Sequence, residues 1–153
     1  MSEGPAAPVV YLERWVAPPR VVLATLLVAV IAGATLHAGA GGARAVVPYV
    51  VFVSLAVLGL VLSSRGSVRV ADGVLHVPGA RIPLDHLGGV RTLDAEGTRR
   101  MRGPLAQPRA LVVTRGWLRS SVQVQVEDPE DDTPYWLIGT RDPDTLAAAL
   151  RVR

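Results

Sequence analysis

"SVRVADGVLHV", residues 67–77, decides how the larger part of this chain is built. Its apolar residues recur every second position, Val68 and Val70 and then Leu75 and Val77. That period belongs to a strand with one face buried. The interruption is Asp72-Gly73, a pair suited to a type I′ turn because both central residues need positive φ. Two short strands joined by a tight turn are therefore expected here.

Toward the C-terminus the alternation continues. "ARIPLD" at 80–85 places Ile82 and Leu84 on one side and Arg81 and Asp85 on the other. "LVVT" at 111–114, "SVQVQVE" at 121–127 and "YWLIG" at 135–139 read as further strands. In "RDPDTLAAALRVR", Asp142 can cap a helix, Pro143 suits its first position, and Leu146 and Leu150 share a face at i, i+4. Six or seven antiparallel strands closed by one helix predict an α+β module, specifically a pleckstrin-homology-like half-barrel, with a simple meander as the other arrangement.

Toward the N-terminus the pattern changes. Residues 21–43 and 45–64 contain no charged side chain. Runs of about 20 apolar residues cover the ~30 Å hydrocarbon core of a bilayer. The Gly-rich link "HAGAGGAR" makes them a tight helical hairpin. Arg14, Arg20, Arg65 and Arg69 flank the pair, against Arg44 alone between them. By the positive-inside rule both termini are expected in the cytoplasm, with the protein multi-pass in the inner (plasma) membrane. Ala38-Gly39-Ala40 fits a signal-peptidase site, but the twenty preceding residues and the second apolar run oppose cleavage. Ala29 and Gly33 offer a small-residue face for close helix approach. His37 is expected at the far interface, and Pro48 in the first turn of the second helix. Three parts follow: an N-terminal cytoplasmic segment 1–20, a transmembrane hairpin 21–64, and a cytoplasmic β-rich module 65–153.

Composition removes several kinds of chemistry. There is no Cys, so thiolate metal sites, disulfides and cysteine nucleophiles are out. All sixteen basic residues are Arg in a chain rich in Ala, Val, Gly and Pro. That bias reads as base composition rather than phosphate chemistry. A net charge of +3 is too small to imply nucleic acid. The Gly-rich spots at 39–42, 88–89 and 97–103 lack a phosphate-loop lysine, so no nucleotide cofactor is expected. His76 and His86 have no nucleophile elbow near them in sequence. Five carboxylates crowd residues 127–132 but without the glycine-containing, alternating pattern of a calcium loop. No metal, cofactor or catalytic residue is expected, and the chain reads as a non-enzyme.

Charge is nevertheless polarised. Residues 97–126 hold six arginines and no acid. "GTRRMRGP" reads as an exposed loop whose Arg99, Arg100, Met101 and Arg102 could meet anionic lipid. The acidic run, read as a hairpin loop, abuts Tyr135 and Trp136. Alternation sends one of these two aromatics inward, expected to be Trp136, and the other outward. Asp128, Asp131, Asp132, Tyr135, Trp136 and Arg141 are thus candidate contacts for a protein partner. The alternative is an accessory subunit of a larger membrane complex, packing through the Ala29–Gly33 face.

"YLERW" at 11–15, Pro18, two apolar runs, "VADGVLHV" and "DPEDDTPYWLIGTRDPDTLAAAL" together resemble the actinobacterial domain-of-unknown-function 3093 family. Thr133-Pro134-Tyr135-Trp136-Leu137 with Thr140-Arg141 is its distinctive segment, and Asp132 stands where the family usually has proline. The resemblance implies a small two-span membrane protein and supplies no catalytic residue. It also gives "YLER" a purpose: Tyr11 and Trp15 could anchor at the interface, with Arg141 or the acidic loop docking on Glu13-Arg14.

Overall fold

The computed structural model describes residues 9–37 and 41–151. Two compact units emerge, one from the chain up to Arg14 together with Gly66 onward, the other Trp15–Arg65.

In the first unit, strands β1 (Val9–Arg14), β2 (Ser67–Ala71), β3 (Val74–Val77) and β4 (Ala80–Pro83) form an antiparallel sheet in that order. Asp72 and Gly73 take φ of 56° and 69°, the paired positive values the turn requires. Val68, Val70, Leu75 and Ile82 are buried, while Arg69 and Arg81 are exposed. Strand β1 is a correction. Residues 9–14 are not part of a separate N-terminal segment but the edge strand of this sheet, with Arg14 opposite Ser67. No local turn announces the pairing, because the partner strand lies beyond both apolar runs.

Strands β5 (Leu87–Leu93), β7 (Ser120–Val126), β8 (Tyr135–Thr140) and β6 (Leu111–Val113) form a second sheet in the order β5-β7-β8-β6. Here β8 inserts between β7 and β6 and runs parallel to β6, so the sheet is mixed rather than wholly antiparallel. Helix α3 (Ala95–Arg102) and helix α4 (Pro143–Arg151) complete an α+β unit. Asp142 caps α4 as expected, accepting from the Thr145 backbone N–H at 3.1 Å and its hydroxyl at 2.6 Å. Leu146 and Leu150 are buried where α4 packs on β5, β7 and β1.

The second unit pairs helix α1 (Pro19–His37) with helix α2 (Val47–Ser63) through a 3-10 turn at Gly42–Ala45. Their 19 and 17 residues span about 28 and about 26 Å. One of them, α1, is long and apolar enough to cross a membrane; α2 is apolar but shorter. The candidate cleavage site at 38–40 lies outside the described residues. Gly33 sits where a Cβ would come within 2.8 Å of the Tyr49 ring, so the small-residue face of α1 is filled by α2. His37 meets Tyr49 edge-on, with ring centroids 5.8 Å apart, and its Nδ1 lies 3.2 Å from the Ala45 carbonyl. Leu23, Leu27 and Val28 are each more than 60% exposed, so α1 is not a core helix.

Candidate functional site

The arginine-rich stretch is a helix, not the expected loop. Asp94 caps α3, its Oδ1 accepting from the Gly97 N–H at 2.7 Å. Glu96 then lies in the first turn and Arg99, Arg100 and Arg102 in the last, the polarity a helix dipole favours. Sequence periodicity hid this helix because its exposed face is charged and its inner face is short. That inner face holds Thr98, whose hydroxyl bonds the buried Ser121 hydroxyl at 2.8 Å, and Met101. Met101 packs against Leu93, Tyr135 and Leu137. It is therefore a core-side residue and not the lipid-facing one expected of it. Arg100 reaches Glu96 at 2.8 Å, whereas Arg99 lies 3.8 Å from it. Arg102 has no carboxylate partner among the described residues.

The acidic segment is an ordered loop. Asp128 Oδ1 accepts from the Glu130 N–H at 2.9 Å, and its Oδ2 lies 3.1 Å from His86 Nδ1. Asp131 accepts from the Thr133 N–H, and hydrogen bonding from Thr133 holds its carboxyl below the ordinary range. Asp132 accepts from Arg109 at 3.0 Å. All three candidate partner-contact acids are thus already engaged within the chain. Among the described residues no three His, Asp or Glu side chains converge as metal ligands. No hydroxyl nucleophile is hydrogen-bonded to a histidine among them either.

Tyr135 and Trp136 are both buried, at 3% and 4% exposure, which overturns the expectation that one would face outward. Alternation does send them to opposite faces, but both faces are covered. Tyr135 and Leu137 lie under Met101, and the Tyr135 hydroxyl accepts from the Gln107 N–H at 3.3 Å. Trp136 lies opposite Val124, on the other face of the sheet from Tyr135 and Leu137. Neither ring is available to a partner. Arg141 is exposed.

A further polar cluster joins the ends of the first unit. Glu13 Oε2 accepts from the Tyr11 hydroxyl at 2.8 Å and from the Thr140 hydroxyl at 2.6 Å. Its Oε1 accepts from the Arg141 N–H at 3.1 Å. Thr140 Oγ1 in turn accepts from the Asp142 N–H at 3.0 Å. Burial pushes the Tyr11 phenol well above its ordinary range, an effect the Thr140 hydrogen bond opposes and Glu13 reinforces. The suspected docking of "YLER" on the segment at Arg141 is therefore real, but it is made by Glu13 with the Arg141 backbone. Tyr11 joins this cluster through its hydroxyl.

Sequence reasoning also missed a basic row. Leu12, Arg69, His76 and Arg81 are register partners across β1–β4, and directly paired residues share a face. That face is the outer one, with Leu12 57% exposed. Only the strand pairing reveals the row, since its members are scattered over seventy positions.

Residues 10–150 match the family model described as "Protein of unknown function (DUF3093)", and the chain belongs to that family. Among curated proteins and among solved structures, none matches the chain.

Proposed function

We propose that this DUF3093 member is a non-enzymatic integral membrane protein of the inner membrane. Its helical hairpin holds a pleckstrin-homology-like module at the cytoplasmic surface, where the module binds anionic lipid. The observation that carries this reading is the register of β1 with β2. The chain leaves the module at Arg14 and re-enters it at Ser67, and these two residues are partners in one ladder. Whatever the intervening 52 residues do, both their ends start from one place. A hairpin of two apolar helices that crosses and returns fits this condition. A single crossing cannot, because it would part β1 from β2.

Three further features support the reading. Along α1 the large side chains Leu23, Leu27, Val28, Val30, Ile31 and Leu36 are exposed, which suits lipid and not water. Arg14, Arg20, Arg65 and Arg69 flank the two helices in the sequence, which fits the cytoplasmic rule. The row Arg69, His76 and Arg81 beside exposed Val10 and Leu12 combines positive charge with apolar surface, the composition of an interfacial face. Two four-stranded sheets and a closing helix are consistent with a pleckstrin-homology-like arrangement, although β6 and α3 add to it. The accessory-subunit alternative loses its designated surface, since Tyr49 already occupies the Gly33 face.

Topology reporters test the proposal. A fusion after Gly41 should report the far side and a fusion at Arg153 the cytoplasm. A far-side signal at Arg153 would sink it.

A further inference from the structure

Helix α3 and the loop before β7 border an open cleft of about 580 Å³. Arg99 and Arg102 line it from the helix, and Arg119 lines it from the loop, with Gly116 and Leu118. Thr98, its hydroxyl taken up by Ser121, also borders the cleft. No carboxylate lines the cleft. Elsewhere in this segment Arg100 is matched to Glu96 and Arg109 to Asp132. Inside the cleft they are not. Arg102 and Arg119 have no carboxylate partner among the described residues, and the Arg99–Glu96 pair is long and highly exposed. Between the lining residues Gly116 and Leu118, the Trp117 indole N–H is buried without an acceptor among the described residues.

Like charges gathered in one concavity repel unless an anion joins them, and a concave wall strengthens the field they share. Guanidinium groups present forked donors that match the oxygens of a phosphate. The cleft volume falls in the range of small-ligand sites. Arg100, directed to Glu96, takes no part, which separates this site from a diffuse basic helix.

We propose that this cleft binds a phosphate group through Arg99, Arg102 and Arg119. The inference deepens the lipid-binding reading above, from which it takes the lipid headgroup as one source of that group. Free phosphate is the other.

Purified full-length chain supplies the test in two arms. In detergent it is titrated with inorganic pyrophosphate by calorimetry. In nanodiscs of phosphatidylcholine, with or without phosphatidic acid, its thermal unfolding is followed. Pyrophosphate binding supports the cleft with a soluble source; stabilisation by phosphatidic acid alone supports it with a lipid source. In either case R102Q and R119Q should each weaken the response about tenfold, and R100Q should leave it unchanged. No response in both arms overturns the proposal, as does a response that survives R102Q and R119Q. Should a glutamine variant not fold, R102K and R119K replace it: they keep the charge but lose the fork, and an undiminished response from them also overturns the proposal. Neither arm depends on which way the protein faces. Failure here therefore leaves the topology reading intact, and a reversed topology leaves the cleft intact.

Discussion

Glu13 and Thr140 lie 127 positions apart in the chain and 2.6 Å apart in the fold, the threonine hydroxyl donating to the glutamate. One carboxylate thus collects donors from β1, from the end of β8 and from the backbone entering α4. Glu13→Ala should lower the stability of the full chain in mild detergent by about 2–3 kcal/mol, the scale of hydrogen bonds to a charged group. Glu13→Gln, which keeps an acceptor, should lower it less. Equal denaturant midpoints for all three proteins would show the cluster to be energetically idle.

The Tyr11 phenol gives the same cluster an alkaline signature. Its folded-state pKa is raised by burial, so the neutral form is favoured in the fold. The corresponding stability is complete below the unfolded value of about 10 and is lost as pH rises above it. Tyr11→Phe should flatten the alkaline limb of a stability–pH curve. An unchanged slope above pH 10 would contradict this.

At the acid end, Asp142 behaves oppositely. Hydrogen bonds from the Thr145 hydroxyl and backbone hold its carboxyl below the ordinary range. Its contribution is present above the unfolded value of about 3.9 and fades as pH falls through the lower folded one. Asp142→Ala should fray α4 at neutral pH and remove part of the acid dependence, while Asp142→Asn should keep the cap. Circular dichroism against pH distinguishes the variants.

For β8, truncation of either aromatic should be severe. Tyr135→Ala and Trp136→Ala should each cost about 3–5 kcal/mol, because both faces of the strand are covered. A mild effect in one of them, measured by thermal melting, would restore the one-sided strand.

At the helix pair, Gly33→Leu should drive α1 from α2, since even a Cβ there meets the Tyr49 ring. Tyr49→Ala should relieve much of the effect. Disulfide trapping between cysteines introduced along α1 and α2 reads the separation.

What could be read ahead of the structure divides along locality. The β2–β3 turn is written in Asp72-Gly73, the α4 cap in Asp142 and Pro143, and the apolar helices in two uncharged runs. Each signal lies within a few residues of the element it specifies. The failures needed partners far away. β1 depends on β2 beyond the apolar runs, and the burial of Tyr135 depends on α3, whose Met101 was concealed among arginines. The parallel pairing of β6 arises only because β8 inserts beside it. The candidate sites followed the same rule: Arg99 and Arg102 stood out as a charge run, but their junction with Arg119 is a product of folding.

The β1–β2 ladder also imposes an order in time. Strand β1 leaves the ribosome first and waits for 52 residues before its partner is made. At about 5–20 residues per second that wait is several seconds. On the topology proposed above, the membrane helices are laid down during it. A hairpin that stalled halfway would strand β1 and β2 on opposite sides of the bilayer. On that same proposed topology, closure of the sheet is a checkpoint on biogenesis: only a molecule whose chain has crossed and come back can pair β1 with β2.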